Sequence, residues 1–308
     1  LNINWKGLNF NYSVNVSPPE ITDIQPTPDN TNPLYIYEGN PDLVPTKHHS
    51  VYLNYFKPIP AKSLNISAYL NGSFRQDGIT RSRTVNEDLV QITKPVNIDG
   101  QQSFYSNFNI SKQYKIFNKL QFNMGGGYNL NYNRNFLIIN ARTGYVKTLG
   151  GGPQANMGLN WKDKIEFNIN YNFNLSQSTY ESPDFDDIEV INHYSKSELV
   201  IRWPKNIVWE TSLTYRYNSN AAPGIQKSVK LLNAGLIFLF LKEQKGNLKL
   251  SVYDLLNQNI NVFRSTSENM IIDRQTNMLQ RYYMLTFTYN IRNFTGGKVG
   301  ASQRFFRF

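Results

Sequence analysis

Apolar and polar residues alternate along most of this chain. In KIEFNINYNFNLSQS, residues 164–178, Ile165, Phe167, Ile169, Tyr171 and Phe173 fall on every second position, and Asn168, Asn170, Asn172 and Asn174 fill the gaps. Successive strand side chains point to opposite faces, so such a segment has one greasy face and one amide-rich face. The pattern recurs. Leu8, Phe10, Tyr12, Val14 and Val16 alternate with Asn9, Asn11, Ser13 and Asn15. Leu120, Phe122 and Met124 alternate with Gln121 and Asn123, and Tyr283, Leu285, Phe287, Tyr289 and Ile291 with Met284, Thr286, Thr288 and Asn290. No helical periodicity competes over a comparable length.

The criterion predicts about twelve strands, near 6–17, 47–57, 63–77, 99–112, 118–134, 148–162, 164–179, 190–204, 206–218, 226–241, 246–255 and 279–292. Many reach the length that a tilted membrane strand needs, roughly 9–11 residues. Connections alternate between short (KPIPAK, QYKIFNK, WKDK, PKN, KEQKG) and long (18–46, 78–98, 135–147, 180–189, 219–225, 256–278). Tight turns at one end and long loops at the other are the plan of an antiparallel transmembrane β-barrel of the outer membrane. On this reading the Ile165 row faces lipid and the Asn168 row faces a hydrated lumen. Lys162, Lys164, Lys205, Lys242 and Lys245 lie in or beside the short turns, with Trp161, Trp203 and Trp209 close by, as suits a membrane interface.

Composition agrees. Aromatic residues make up 14% of the chain, and charged residues 18%, below the roughly 25% of soluble domains. No run of about 18 apolar residues exists, so no transmembrane helix is expected; alternating strands hide from such averages. With no cysteine, disulfides and thiolate chemistry are excluded. The net charge of +10 reads as a scattered basic surface or as contact with an anionic partner such as lipopolysaccharide; no compact Lys/Arg run points to nucleic acid.

Candidate chemistry is sparse. His48 and His49 are adjacent, so on a strand they point to opposite faces and cannot jointly chelate a metal. The acidic loop SPDFDDIE, 182–189, lacks the glycine and spacing of a calcium loop and reads as solvated acid. The GGG runs at 125–127 and 150–152 precede no helix and cradle no phosphate. They mark places where something packs close, in a plugged barrel the plug itself. No enzyme activity, cofactor or metal site is expected.

Residues 37–45, YEGNPDLVP, stand just before the strand HHSVYLNYF; VYDLLNQN, 252–259, precedes the last long loop; the final strand reads RYYMLTFTYNI. This combination resembles the C-terminal barrel of TonB-dependent outer-membrane receptors, in particular the barrel family common in Bacteroidota. Gly39, Asn40, Pro41, Asp42, Leu43 and Pro45 carry the loop motif. The resemblance implies that residues 1–292 are the C-terminal part of a barrel of about 22 strands, with LNINW the tail of an earlier strand. Residues 293–308 would be a periplasmic tail, and Tyr283, Leu285, Phe287, Tyr289 and Ile291 the assembly signal. It implies uptake of a scarce nutrient (chelated iron, oligosaccharide or peptide), an N-terminal plug, the TonB complex and a surface lipoprotein as partners, and a Gram-negative outer membrane. A scaffold for surface lipoproteins or secretion partners, and a self-contained twelve-stranded pore, are the alternative expectations.

Overall fold

Period-two alternation becomes strands nearly everywhere it was read. The computed structural model describes residues 1–116, 119–221, 223–259, 261–267, 270–276 and 279–290. Its strands are β1 (Asn2–Trp5), β2 (Leu8–Ser17), β3 (Asp29–Asn32), β4 (Tyr35–Tyr37), β5 (Thr46–Ile59), β6 (Leu64–Gln76), β7 (Gly78–Val85), β8 (Gln91–Ile98), β9 (Gln101–Ile116) and β10 (Leu120–Ile139). They continue as β11 (Arg142–Trp161), β12 (Ile165–Tyr180), β13 (Ile188–Ile201), β14 (Ile207–Asn218), β15 (Ser228–Phe240), β16 (Gly246–Tyr253), β17 (Asn261–Ser267), β18 (Met270–Thr276) and β19 (Tyr282–Tyr289). Helix is limited to single turns such as Ile21–Ile24. No described helix is long and apolar enough to cross a membrane.

Thirteen of these strands form one antiparallel ladder, in the order β1, β2, β5, β6, β9, β10, β11, β12, β13, β14, β15, β16, β19. Residues Asn2–Trp5 of LNINW pair with β2, so the ladder holds one strand more than the twelve predicted. Its two edge strands, β1 and β19, are not paired with each other among the described residues.

The short connections read from the sequence lie at one end. Lys6–Gly7 joins β1 to β2 with φ of 42° and 87°, the left-handed pair that a two-residue hairpin turn demands. At the β11–β12 turn the Asn160 carboxamide and Asp163 brace each other, Asp163 N–H donating to Asn160 Oδ1 at 3.0 Å and Asn160 Nδ2 to Asp163 Oδ1 at 3.2 Å.

The opposite end is more ordered than the sequence suggested. Residues 135–147 are not a loop: β10 and β11 run twenty residues each and meet at a two-residue turn, Asn140–Ala141, with φ of 50° and 61°. Residues 78–98 are likewise the β7–β8 hairpin. Strand β4 adds to β8 in parallel, and β7 lies in parallel against the top of β10, Ser82 opposite Ile138. In and around this outgrowth Leu43, Leu137, Ile138 and Val146 are buried and Pro95 is fully enclosed. The last long connection also contains a hairpin, β17–β18.

Among the described residues the ladder has no second layer over its apolar face. Phe238 is 50% exposed and Leu285 67%. A sheet in water has to bury such a face against another layer; a continuous apolar surface left open marks an interaction with membrane or partner.

Candidate functional site

The candidate site is the wall itself, and register decides its character. Because pairing runs without a slip from strand to strand, like faces meet like. On one face Met124, Met157 and Ile169 follow one another across three strands, and Leu236, Leu250 and Leu285 across another three. On the other face Asn9, Asn54, Tyr69, Asn107 and Asn129 are successive partners. Further along, Asn123, Gly158, Asn168, Glu198, Ser212 and Asn233 continue that polar surface. A one-residue slip anywhere would turn every following side chain over.

The Ile165, Phe167, Ile169, Tyr171 and Phe173 row falls wholly on the apolar face, beside Trp161, Leu159, Met157 and Ala155 of β11. The Asn168, Asn170, Asn172 and Asn174 row falls wholly on the amide face. Asn170 stands between Asn156 and Lys196, Asn172 between Gln154 and Tyr194. Tyr283, Leu285, Phe287 and Tyr289 share the apolar face at the β19 edge, all exposed. Ile291 and the tail 293–308 lie outside the described residues.

The glycine runs have a local cause. A Cβ on Gly125 would stand 2.6 Å from Asn156 Oδ1, one on Gly150 2.9 Å from Asn131 Oδ1, and one on Gly158 2.8 Å from Asn168 Oδ1. Each of these glycines makes room for a cross-strand carboxamide lying flat on the amide face. What packs close at these three is the wall's own asparagines; at Gly127, Gly151 and Gly152 it is the backbone of a neighbouring strand.

The amide face carries ion pairs. Lys249 Nζ meets Glu210 Oε2 at 3.0 Å with both side chains largely buried. Arg202 Nη1 meets Glu166 Oε1 at 3.1 Å, and Lys196 meets Glu198 at 3.0 Å. Between β2 and β12 the face is dominated by neutral amides, hydroxyls and the edge-to-face tyrosines 52, 69 and 105, whose centroids are 5.3 and 5.7 Å apart.

The apolar face carries two tyrosine–histidine pairs. Tyr12 Oη pairs with His49 Nδ1 at 2.8 Å, and Tyr171 Oη with His193 Nδ1 at 2.8 Å. Neither pair was visible in the sequence, because each joins residues on neighbouring strands. His48 faces the other way, opposite Asn15. At the short-turn end Lys162 Nζ sits 5.5 Å from the Trp161 ring, and Trp161, Trp203 and Trp209 are exposed.

The loop motif is a clasp. Asn40 N–H donates to Asp23 O at 2.6 Å and its Nδ2 to Pro95 O at 3.0 Å. The Asp42 and Leu43 amides close back on Asn40. Gly39 abuts the Gln25 backbone so closely that any Cβ would strike it. From β8, Asn97 accepts from Val44 N–H at 2.9 Å and donates to Val44 O at 3.0 Å and Asp77 O at 2.7 Å. Pro41 and Pro45 border the segment so held. Tyr37 donates to Asp23, and burial followed by that carboxylate pushes its phenol up to about 12. VYDLLNQN is a second fastening: buried Asp254 accepts from Gln258 N–H and Asn259 N–H, both at 2.9 Å. In loop 182–189, Asp184 pairs with Arg142 at 3.5 Å and Asp187 accepts from Tyr180 N–H at 3.0 Å.

A family model described as "Outer membrane protein beta-barrel family" matches residues 2–149 and 146–289. The chain belongs to that family: it is an all-β, antiparallel β-barrel protein of the outer membrane. No curated protein and no solved structure matches it.

Proposed function

We propose that this chain is barrel wall of a TonB-dependent outer-membrane receptor that admits a scarce nutrient: chelated iron, oligosaccharide or peptide. The apolar face, with the Ile165 row, is turned to lipid and the Asn168 row to a hydrated interior. The observation that carries the reading is the unbroken amide face, neutral over much of its area. Carboxamides and hydroxyls offer both donors and acceptors to water, plug or solute without holding a fixed charge.

The edges support a larger barrel. Unpaired N–H and C=O groups in hydrocarbon cost several kcal/mol each, so β1 and β19 require further strands to close the wall. A barrel of about 22 strands would supply them and leave a lumen for a plug. The YEGNPDLVP and VYDLLNQN resemblance supports the same assignment, with the plug, the TonB complex, a surface lipoprotein and lipopolysaccharide as partners, a source among the Bacteroidota, and no enzymatic chemistry. The test is energised uptake by cells carrying the full-length protein. Removing the plug or the TonB coupling abolishes it on this reading, and uptake indifferent to both would sink it.

A scaffold role has one observation in its favour: the outgrowth is built of paired strands, β4 on β8, β8 on β7 and β7 on β10, as a stiff docking platform would be. Stoichiometric recovery of a surface partner without any solute uptake would support that role. A self-contained twelve-stranded pore fits poorly with thirteen described ladder strands and two unpaired edges.

A further inference from the structure

We propose that Arg134, Phe136, Tyr145 and Lys147 form a clamp for the phosphate groups of the outer-leaflet glycolipid. The inference rests on the orientation above, with the apolar face to lipid and the long connections outside.

On that face β10 runs Leu120, Phe122, Met124, Gly126, Tyr128, Leu130, Tyr132, and the next side chain is Arg134. A strand rises about 3.3 Å per residue, or roughly 2.5 Å along the barrel axis at a tilt near 40°. Arg134 therefore stands ~35 Å from the short-turn end, above an apolar band about 25 Å tall. That is the level of the outer headgroups.

The local chemistry is unusual for a strand pair. Arg134 and Lys147 are direct cross-strand partners, and like charges so placed repel. One ring takes both: the Arg134 guanidinium carbon lies 4.3 Å from the Tyr145 centroid and Lys147 Nζ 4.7 Å from it. Phe136 stacks edge-on to Tyr145 at 6.4 Å and also receives Arg134, at 5.5 Å. Arg134 Nε is buried without a hydrogen-bond partner. Among the described residues neither cation has a carboxylate partner. Nearby Glu181 accepts from Tyr145 N–H at 3.2 Å, and Arg142 is paired with Asp184.

Two cations are thus held together with no counter-anion. A phosphate monoester supplies the missing charge, and its oxygens match the fork of a guanidinium. The source is lipid because of the location. Below the cluster Tyr128 and Leu149 are half-exposed and continue the apolar surface, on which acyl chains would lie.

The experiment uses the full-length protein folded in neutral detergent. Bis-phosphorylated lipid A, dephosphorylated lipid A and inorganic phosphate are titrated against the wild type, Lys147→Gln and Arg134→Gln/Lys147→Gln. Folding of each is checked by heat-modifiable gel mobility. The wild type is expected to bind bis-phosphorylated lipid A roughly thirtyfold more tightly than the double variant, about fivefold per cation near the surface, with Lys147→Gln between. Dephosphorylated lipid A is expected to bind all three alike. Equal binding of bis-phosphorylated lipid A by folded wild type and variants overturns the clamp. So does protection by millimolar inorganic phosphate equal to that by lipid A, which would mark a free-anion site. Quenching of Trp161 and Trp209 by brominated lipid is measured alongside. If quenching fails, the orientation itself is wrong; if quenching holds and the lipids are not discriminated, only the clamp falls.

Discussion

The carboxamide oxygen of Asn168 lies 2.8 Å from where a Cβ on Gly158 would stand, across the β11–β12 pair. The contact explains why a strand tolerates glycine at a position that costs conformational entropy: the asparagine on the next strand occupies the space. Gly158→Val would force Asn168 and the nearby Asn123 to move. Overpacking of this kind costs about 1–3 kcal/mol. Urea unfolding from detergent or bilayer is expected to show that loss, and Gly158→Val combined with Asn168→Ser to recover much of it.

The clasp over the first long connection depends on Asn97, whose side chain makes three hydrogen bonds to Val44 and Asp77. Asn97→Ala takes the side-chain partner from the Val44 N–H and C=O, while Asp77 O keeps Thr46 Oγ1 at 3.0 Å, and the loss costs about 1–3 kcal/mol where water cannot replace it. Limited proteolysis is expected to cut residues 18–46 faster, while the wall keeps its heat-modifiable mobility.

The same clasp is pH-sensitive in one direction. Burial and Asp23 raise the Tyr37 phenol from 10 to about 12, so the folded clasp prefers the protonated form. Its contribution is complete below pH 10 and is lost as pH rises from 10 through 12. Protease sensitivity of the loop is expected to climb over that window in the wild type. In Tyr37→Phe the part of the climb due to this phenol disappears.

Buried charge on the amide face gives a further test. Lys249→Met strands Glu210, whose side chain is 4% exposed, and removing one partner of a buried pair costs about 3–5 kcal/mol. Adding Glu210→Gln to that variant is expected to restore most of the loss, as equilibrium unfolding would show.

The wall was legible in the sequence because its two faces meet different surroundings. Where alternation between the two faces persists, as in Ile165–Leu175, predicted and observed strands agree to within a few residues. It failed at 135–147 and 78–98. Asn135 and Arg142 look like loop chemistry, yet they belong to strands that have passed beyond the apolar band. There both faces meet loops or water, and hydrophobic alternation is no longer required. The YEGNPDLVP motif was readable as a family mark, but not as a fastening, because Asn97 and Pro95 lie more than fifty residues away. The glycines were legible as places of close packing; only register shows that Asn131, Asn156 and Asn168 stand beside Gly150, Gly125 and Gly158.

The two-faced wall is the central claim, and neighbours 156 and 157 test it most directly. The chain has no cysteine, so single variants Asn156→Cys and Met157→Cys take one nitroxide each. In lipid bilayers, the label at 157 is expected to collide mainly with dissolved oxygen and the label at 156 with a water-soluble nickel chelate. Equal accessibility at the two positions, or the reverse order, would contradict a wall with lipid on one side and a hydrated lumen on the other.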